Sequence, residues 1–266
     1  MKLAVSNIAW DQHDDPTILL KLKELGISGI EVAPTKIWPD WKNASQQSAE
    51  KYKHKLSEFG FKVPAMQAIL FGKPELQVFD HATHQKFFEH IKLIADLATG
   101  LEAKVLVFGS PKNRKRGQSS YSEASLIAQD FFSTAGDICQ ERGCIIGIEH
   151  NPVEYGCDFL TNVRDVSELT QQINHPSIKL HIDSAGIHMC GGSISNEINN
   201  SIPFVHYHIS EPMLEPISGG IVNHVAAAKT LKNINYKHWT SIEMKQPANN
   251  EILFSSVSKA LIDYNV

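Results

Sequence analysis

The amino-acid sequence predicts a single (β/α)8 barrel that spans residues 1–266. Short aliphatic runs alternate along the chain with segments of helical periodicity, and we count eight such pairs. Eight pairs in 266 residues leave about 33 residues for each, which suits a repeating strand–loop–helix unit. No linker or low-complexity segment interrupts the repetition. Eight uninterrupted units favour one closed parallel barrel.

An open, doubly wound parallel sheet is the alternative fold for the same alternation. Such sheets usually carry a glycine-rich phosphate-binding loop directly after their first strand. The segment NIAWDQHDD, which lies at that position here, contains no glycine. We therefore expect the closed barrel.

The first four units are predicted from aliphatic runs followed by helices with an apolar stripe. Their strand segments are KLAVSNIAW, ISGIEVAP, KVPAMQAIL and AKVLVFGS. In the first helix, Asp15 is predicted as the N-cap and Pro16 as the first helical residue, and Gly26 stops the helix. The next three helices are predicted to end at Gly60, before Gly100 and near Arg142.

The second four units repeat this order. Their strand segments are CIIGIEH, IKLHID, FVHYHIS and HWTSIEMK. Thr161 is predicted as the N-cap of the first helix in this half, and the next unit has only a weakly patterned stretch near residues 193–201. The last two helices are predicted from about residue 221 to 231 and through Leu253, Val257 and Leu261.

The composition is that of an ordinary soluble globular protein, with 42% hydrophobic and 20% charged residues. A formal net charge of −4 argues against a general nucleic-acid binder or a binder of anionic membranes. No apolar run approaches the roughly 18 residues that cross a bilayer, and the first residues lack the features of a signal peptide. The four cysteines show no C-x-x-C spacing and are expected as buried free thiols. We expect a cytoplasmic protein whose partner is a small molecule.

Four strands in the second half end in residues that bind metals. They are Glu149, Asp183, His208 and Glu243, from the fifth to the eighth strand. In a parallel barrel the carboxyl ends of the strands meet at one mouth, where catalysis takes place. One such residue alone could simply pair with a lysine or arginine at the rim. Four in consecutive units would line one continuous arc, which favours a metal site.

Strand alternation supports this interpretation, because neighbouring residues of a strand face opposite sides. If the four residues point inward, their neighbours must pack against the helices, and these are apolar: Ile148, Ile182, Tyr207, Ile209, Ile242 and Met244. The inward positions two residues earlier are small or polar: Gly147, His181, His206 and Ser241. We expect the two histidines among these to bond to the ligands from one layer below.

Three carboxylates and one imidazole form a hard, oxygen-rich ligand set with open positions. Mn²⁺, Mg²⁺ or Co²⁺ suits such a set better than structural Zn²⁺, which favours closed sites with thiolates, although zinc remains an option. A cation of this kind assists proton transfer at a carbon beside a carbonyl, because it stabilises the enediolate that forms.

The segments IEHNPVEYGCDFLT, KLHIDSAGIH, HYHISEP and WTSIEMK, with VFGSPKNR before them, resemble the xylose-isomerase-like TIM-barrel superfamily. The resemblance covers essentially the whole chain and points to sugar phosphate isomerases and epimerases, especially the tagatose 3-epimerase-like group. It implies that Glu149, Asp183, His208 and Glu243 hold one divalent metal and that Glu149 and Glu243 are the catalytic acid/base pair. It also admits a homodimer, since such relatives commonly pair.

Two positions depart from the pattern of these epimerases. They place a histidine three residues after the aspartate of the sixth strand, where this chain has Gly186; the next histidine is His188. They also carry a glutamate six residues after the ligand of the fifth strand, where this chain has Tyr155, with Glu154 beside it. These differences leave the identity of the sugar open.

Further candidate substrate contacts lie at other strand ends and in the loops. Gln67 and Glu31 end the third and second strands and are expected to meet a polyol. His150 follows Glu149 directly and is equally a rim histidine or a substrate contact. Lys112 and Arg114 lie in the basic loop SPKNRKRGQ, which could bind a phosphate or carboxylate or simply be solvated. The other candidates are Tyr155, His188 and Glu211.

The leading prediction is therefore a metal-dependent sugar or sugar phosphate isomerase or epimerase. A lyase in the manner of inosose dehydratase is the nearest alternative, because it also begins by removing an α-proton. A non-catalytic sugar-binding protein is the second alternative, which Gly186 keeps open. An activity like that of endonuclease IV is disfavoured, since the second and third strands supply no further histidine ligands and the net charge is negative.

Overall fold

Eight parallel strands form one sheet in the computed structural model, which describes residues 1–264. The strands are β1 (Lys2–Ser6), β2 (Gly29–Glu31), β3 (Ala65–Met66), β4 (Val105–Phe108), β5 (Ile145–Glu149), β6 (Ile178–Asp183), β7 (Phe204–Ser210) and β8 (Trp239–Glu243). Their order around the sheet is β2-β1-β8-β7-β6-β5-β4-β3. Each predicted strand segment therefore contains one strand.

Contacts between β2 and β3 bring the two ends of this sheet together. Gly29 pairs with Lys62 and Val32 pairs with Met66 in isolated parallel bridges. The backbone N–H of Ile30 donates to the carbonyl of Lys62 (2.9 Å). The sheet thus curves into a nearly closed barrel surrounded by helices, and the predicted (β/α)8 fold is confirmed.

The helices that surround the barrel follow the predicted order. They are α1 (Asp15–Glu24), α2 (Pro34–Ile37), α3 (Gln46–Glu58), α4 (His84–Leu101), α5 (Tyr121–Glu141), α6 (Val163–Ile173), α7 (Ser184–Met189), α8 (Ile194–Asn200), α9 (His224–Asn233) and α10 (Asn250–Tyr264). Among residues 1–264, none is both long and apolar enough to cross a membrane.

Two predicted N-caps are wrong by one residue. The cap of α6 is Asn162, whose side chain accepts from the backbone N–H of Asp165 (2.9 Å). The cap of α1 is Asp14, and Asp15 is the first helical residue. The side chain of Asp15 is used elsewhere, since it accepts from the indole of Trp10 (2.8 Å) and from Lys55 (2.8 Å). Tertiary partners of this kind cannot be read from a local cap pattern.

Gly100 lies inside α4 and not after it, because the helix continues to Leu101. A Cβ atom added at Gly100 would lie 2.3 Å from the carbonyl oxygen of Gln46 and 2.8 Å from the Cβ of Ala49. Gly100 therefore permits the close contact between α4 and the start of α3, and it does not end the helix.

Strand alternation separates a hydrophobic shell from a polar interior. Ile148, Ile182, Tyr207 and Ile242 are fully buried in the core between the strands and the helices. The four predicted inward positions are small or polar, and Ala65, Val105 and Val107 form a second, smaller apolar cluster apart from the main core. The cysteines are free thiols, as predicted, but Cys190 is exposed while the other three are buried.

We predict that Gly100→Ala destabilises the protein, because the new methyl group meets backbone atoms of α3 that cannot move aside. Overpacking of this kind costs about 1–3 kcal/mol in the free energy of unfolding, measurable by urea denaturation. Gly219→Ala is the matched control, since a Cβ there meets nothing within 4 Å. Equal midpoints for the two variants would contradict the close contact.

Candidate metal centre

The four predicted ligands come together at the carboxyl ends of β5 to β8. One ligand atom from each of Glu149, Asp183, His208 and Glu243 lies within 4.8 Å of the other three. Strand register explains the convergence, since Asp183 pairs with His208 and Glu243 pairs with Ser210, two residues further along β7. All four side chains therefore point into the mouth of the barrel, where their ligand atoms meet.

His208 lies in the middle of this cluster, and a carboxylate one layer below fixes the orientation of its ring. Its Nδ1 atom is 3.1 Å from Glu243 Oε2 and 3.4 Å from Glu149 Oε1. Its Nε2 atom is 3.1 Å from Glu31 Oε2. When Nε2 carries the proton and donates to Glu31, the lone pair of Nδ1 faces the carboxylates. This is the arrangement in which a carboxylate behind a histidine prepares it to bind a metal.

Glu31 is fully buried between two imidazoles and is not at the mouth of the barrel. Burial alone would raise the pKa of Glu31, but the neighbouring His208 and His206 lower it below its ordinary value. Conversely, burial lowers the pKa of His208, whereas Glu31, Glu243 and Glu149 together hold it well above the usual value. The structure thus places Glu31 as a partner of His208, and Glu31 is not among the described residues that line the cavity.

The carboxylates of the cluster repel one another. Burial, and then the charges of Glu149 and Glu243, raise the pKa of Asp183 to about 7. Asp183 Oδ1 accepts from the backbone N–H of Gly186 (2.6 Å), and its Oδ2 accepts from the hydroxyl of Ser210. Such a crowded set of oxygen donors around one imidazole nitrogen fits a hard divalent cation.

A glycine makes room for the Glu149 carboxylate. A Cβ atom at Gly109, directly after β4, would lie 2.2 Å from Glu149 Oε2. Any side chain at position 109 would therefore displace this carboxylate. Gly109 and Ser210 were not among the predicted site residues. Only Ser210 could have been found by strand alternation, since it lies two residues after His208.

His181 and His206 form a layer below the cluster, but within residues 1–264 neither makes the predicted hydrogen bond to one of the four ligands. His206 Nε2 is 2.9 Å from the Ser241 hydroxyl and 3.2 Å from Glu31 Oε1. His181 Nδ1 is 3.6 Å from Glu149 Oε1. Burial lowers the pKa of both histidines, which favours their neutral form. One ring nitrogen from each of His181, His206 and His208 also lies within 4.8 Å of the other two.

A cavity of about 360 Å³ opens over the cluster. Its lining includes Glu149, Asp183, Glu243, His150 and Tyr155. The half-buried Tyr155 accepts a hydrogen bond from the backbone N–H of residue 213 (3.0 Å), which joins the loops after β5 and β7. The cluster therefore has a space in which a small molecule could meet it.

The remaining predicted substrate contacts differ in burial and in whether their side chains are already hydrogen-bonded. Gln67 is buried and donates from Nε2 to Ser6 Oγ (2.8 Å). His188 is exposed on α7 and is not among the described residues that line the cavity. Glu211 is buried and accepts from His224 Nε2 (2.9 Å) and from the backbone N–H of Ile221 (2.9 Å). Glu211 thus anchors the loop after β7, and its oxygens are already engaged.

The basic loop after β4 contains one buried cation. Lys112 is exposed, and Arg116 donates to the carbonyl oxygens of Asp158 (3.0 Å) and Ser119 (2.6 Å). The Arg114 side chain is fully buried, and none of its three guanidinium nitrogens has a hydrogen-bond partner within residues 1–264. Of the two predicted anion-binding residues, Arg114 alone is enclosed by the protein.

Comparisons with known proteins agree with this architecture. The family model described as xylose isomerase-like TIM barrel matches residues 19–258. Among solved structures, the chain is similar to D-psicose 3-epimerase from Clostridium cellulolyticum H10 with D-tagatose, at 13% identity and a TM-score of 0.82, covering 100% of this chain and 98% of that one. No curated protein matches the sequence.

Two further solved structures have the same fold with other descriptions. The probable 3-DHS dehydratase AsbF from Bacillus anthracis shares 16% identity at a TM-score of 0.77, covering 98% of this chain and 99% of that one. The IOLI protein with a zinc atom shares 18% identity at a TM-score of 0.72, covering 100% and 95%. At these identities the likeness shows the fold alone.

We predict that Asp183 makes the metal-free protein less stable as the pH rises towards 7. Because its pKa of about 7 in the folded state lies above the ordinary value of 3.8, the folded protein keeps a proton that the unfolded chain releases. The stability it contributes is full below pH 4 and is lost as the pH rises through about 7, at up to about 1.4 kcal/mol per pH unit.

The measurement is urea unfolding in a chelator between pH 5 and pH 8, for the parent and for Asp183→Asn. The parent should lose stability relative to the variant as the pH rises, and Asp130→Asn, at an exposed position of α5, should follow the parent. Parallel curves for the parent and Asp183→Asn would contradict the prediction.

Proposed function

Since the chain belongs to the xylose isomerase-like TIM barrel family, we propose that it is a divalent-metal-dependent isomerase or epimerase of a sugar or sugar phosphate. The observation that carries the proposal is that Glu149 and Glu243 both approach His208 Nδ1, at 3.4 Å and 3.1 Å, and both line a cavity. Mn²⁺, Mg²⁺ or Co²⁺ suits the ligand set best, and Zn²⁺ is an option.

The residues present fit such a cation. Glu149, Asp183, Glu243 and the Nδ1 atom of His208 would hold it, and Glu31 fixes the orientation of His208. A bound divalent cation would supply a Lewis acid for the substrate oxygens and offset the charge of the enediolate. Glu149 and Glu243 share a contact with His208, which also explains why these two carboxylates lie so close despite their repulsion.

Glu149 and Glu243 would move the proton. One carboxylate removes it from the carbon beside the carbonyl, and the other returns it to the neighbouring carbon or to the opposite face. The two residues come from β5 and β8, which are separated in the barrel by β6 and β7, so they approach the cavity from different sides. A pair placed in this way serves an epimerisation better than one carboxylate alone.

A dehydratase on the same scaffold differs only in the second half of the reaction, where a hydroxide leaves and no proton returns to carbon. One assay separates the two. The protein is loaded with Mn²⁺ and incubated in D₂O with ketoses, aldoses and their phosphates, and proton NMR follows deuterium incorporation and product. Exchange with an epimer supports the proposal, exchange with loss of water supports the lyase, and a protein that neither binds metal nor exchanges protons contradicts both.

We predict that Glu149→Gln and Glu243→Gln each abolish proton exchange while the fold is kept. An amide cannot accept the proton, and the loss of a general base costs about 10²–10⁴-fold in rate. Glu154→Gln, at an exposed position near Glu149, is the matched control and should retain activity. Exchange at the parent rate in either variant would remove that glutamate from the mechanism.

A further inference from the structure

His150 is the residue directly after Glu149. Its imidazole is buried, but its ring nitrogens have no hydrogen-bond partner within residues 1–264. The side chain is only 1% exposed, yet it is part of the lining of the cavity above the cluster. Buried polar groups normally have partners, since a donor or acceptor removed from water costs free energy when it is left unpaired.

Gly186 leaves the space that this imidazole occupies. A Cβ atom at Gly186 would lie 2.6 Å from His150 Nε2, 3.1 Å from Cε1 and 3.2 Å from Cδ2. The ring therefore packs directly against the backbone of α7. Since Gly186 also donates its N–H to Asp183 Oδ1 (2.6 Å), the backbone that positions the ring is bonded to the cluster.

The His150 ring has two nitrogens that can each bond to a ligand in the cavity. A neutral imidazole offers one donor and one acceptor. Both are free here, at the edge of the space that a substrate would enter.

We propose that His150 is a substrate-contacting residue, which hydrogen-bonds a hydroxyl or carbonyl oxygen next to the reacting carbon, and that Gly186 is the residue that makes this contact possible. The proposal rests on the proposed function, because the oxygen belongs to a sugar held over the cluster. It assigns the role to His150 and not to His188, which is exposed on α7.

The first test replaces the imidazole. His150→Gln and His150→Ala should lower kcat/KM for proton exchange by about 10–100-fold, through the loss of one or two hydrogen bonds at the reacting centre. Metal content should remain that of the parent, because His150 is not in the ligand set. His188→Ala is the matched histidine control and should behave like the parent.

The second test keeps His150 and removes its space. Gly186→Ala should displace the ring and lower kcat/KM in the same way as His150→Ala, with His150 still present. Gly136→Ala is the matched control, since a Cβ there would lie 2.5 Å from the Nδ1 atom of His175, a histidine in the loop before β6. That variant displaces a histidine by the same overlap away from the cluster, and it should change stability but not kcat/KM.

A binding measurement separates this proposal from the proposed function. Nitrogen-15 NMR of the histidine side chains, with His150 assigned from the spectrum of His150→Gln, follows a titration of the Mg²⁺-loaded protein with D-tagatose. A shift of the His150 resonances supports the contact whether or not the sugar is turned over.

The two proposals then fail in different ways. A parent that exchanges protons, with His150→Gln and Gly186→Ala equally active, overturns the role of His150 and leaves the proposed function intact. A parent that exchanges no sugar overturns the proposed function. Unmoved His150 resonances overturn the contact in either case.

Discussion

The site depends on one buried contact, the carboxylate of Glu31 against the imidazole of His208. A carboxylate enclosed by protein is costly unless it is paired, and Glu31 is paired with both His206 and His208. The contact holds Nδ1 of His208 towards Glu149 and Glu243. The geometry of the four-residue cluster therefore depends on a charge one layer below it. Removing that charge would leave His208 Nε2 without its acceptor, and nothing would then fix the direction in which Nδ1 points. The lower layer therefore belongs to the site as much as its ligands do.

Close packing is the second constraint. Glycine meets it at two positions where a polar side chain lies directly against the backbone. Gly109 leaves space for the Glu149 carboxylate, and Gly186 leaves space for the His150 ring. Neither has an unusual backbone angle that would require glycine, so the absence of a side chain is the property that matters. A substitution at either position would displace the neighbouring side chain, without replacing any residue of the four-residue cluster. Small residues in the barrel wall thus help to determine which polar groups can reach the mouth.

The fold and the ligand cluster could be predicted because their signals are local. Strand alternation has a period of two, so the direction of Asp183 or His208 follows from its immediate neighbours. Glu31 could not be placed in this way, since its partner His208 is 177 positions away in sequence. The partners of Glu211, which was predicted as a substrate contact, could not be foreseen for the same reason, because they lie in the later turn and at His224. Gly100 was predicted to follow the end of its helix, since glycine commonly does so. Only the contact of α4 with α3 explains why a glycine lies inside the helix. The predicted roles in metal binding and catalysis stay predictions until metal content and exchange are measured.

In the proposed function, the chemistry and the selection of the substrate belong to different parts of the barrel. The ligand cluster is built on strand ends, which are rigid and joined by register from β5 to β8. His150, Tyr155 and Arg114 lie in the loops that follow the strands, and a hydrogen bond between Tyr155 and residue 213 joins two of those loops above the cavity. Loops of this kind can differ between proteins of one fold without disturbing the strands. The departures from the epimerase pattern lie at Gly186, in α7, and at Tyr155, in the loop after β5, whereas the four proposed ligand positions keep the pattern. If the proposed function holds, these two facts together favour a common proton transfer with a different substrate.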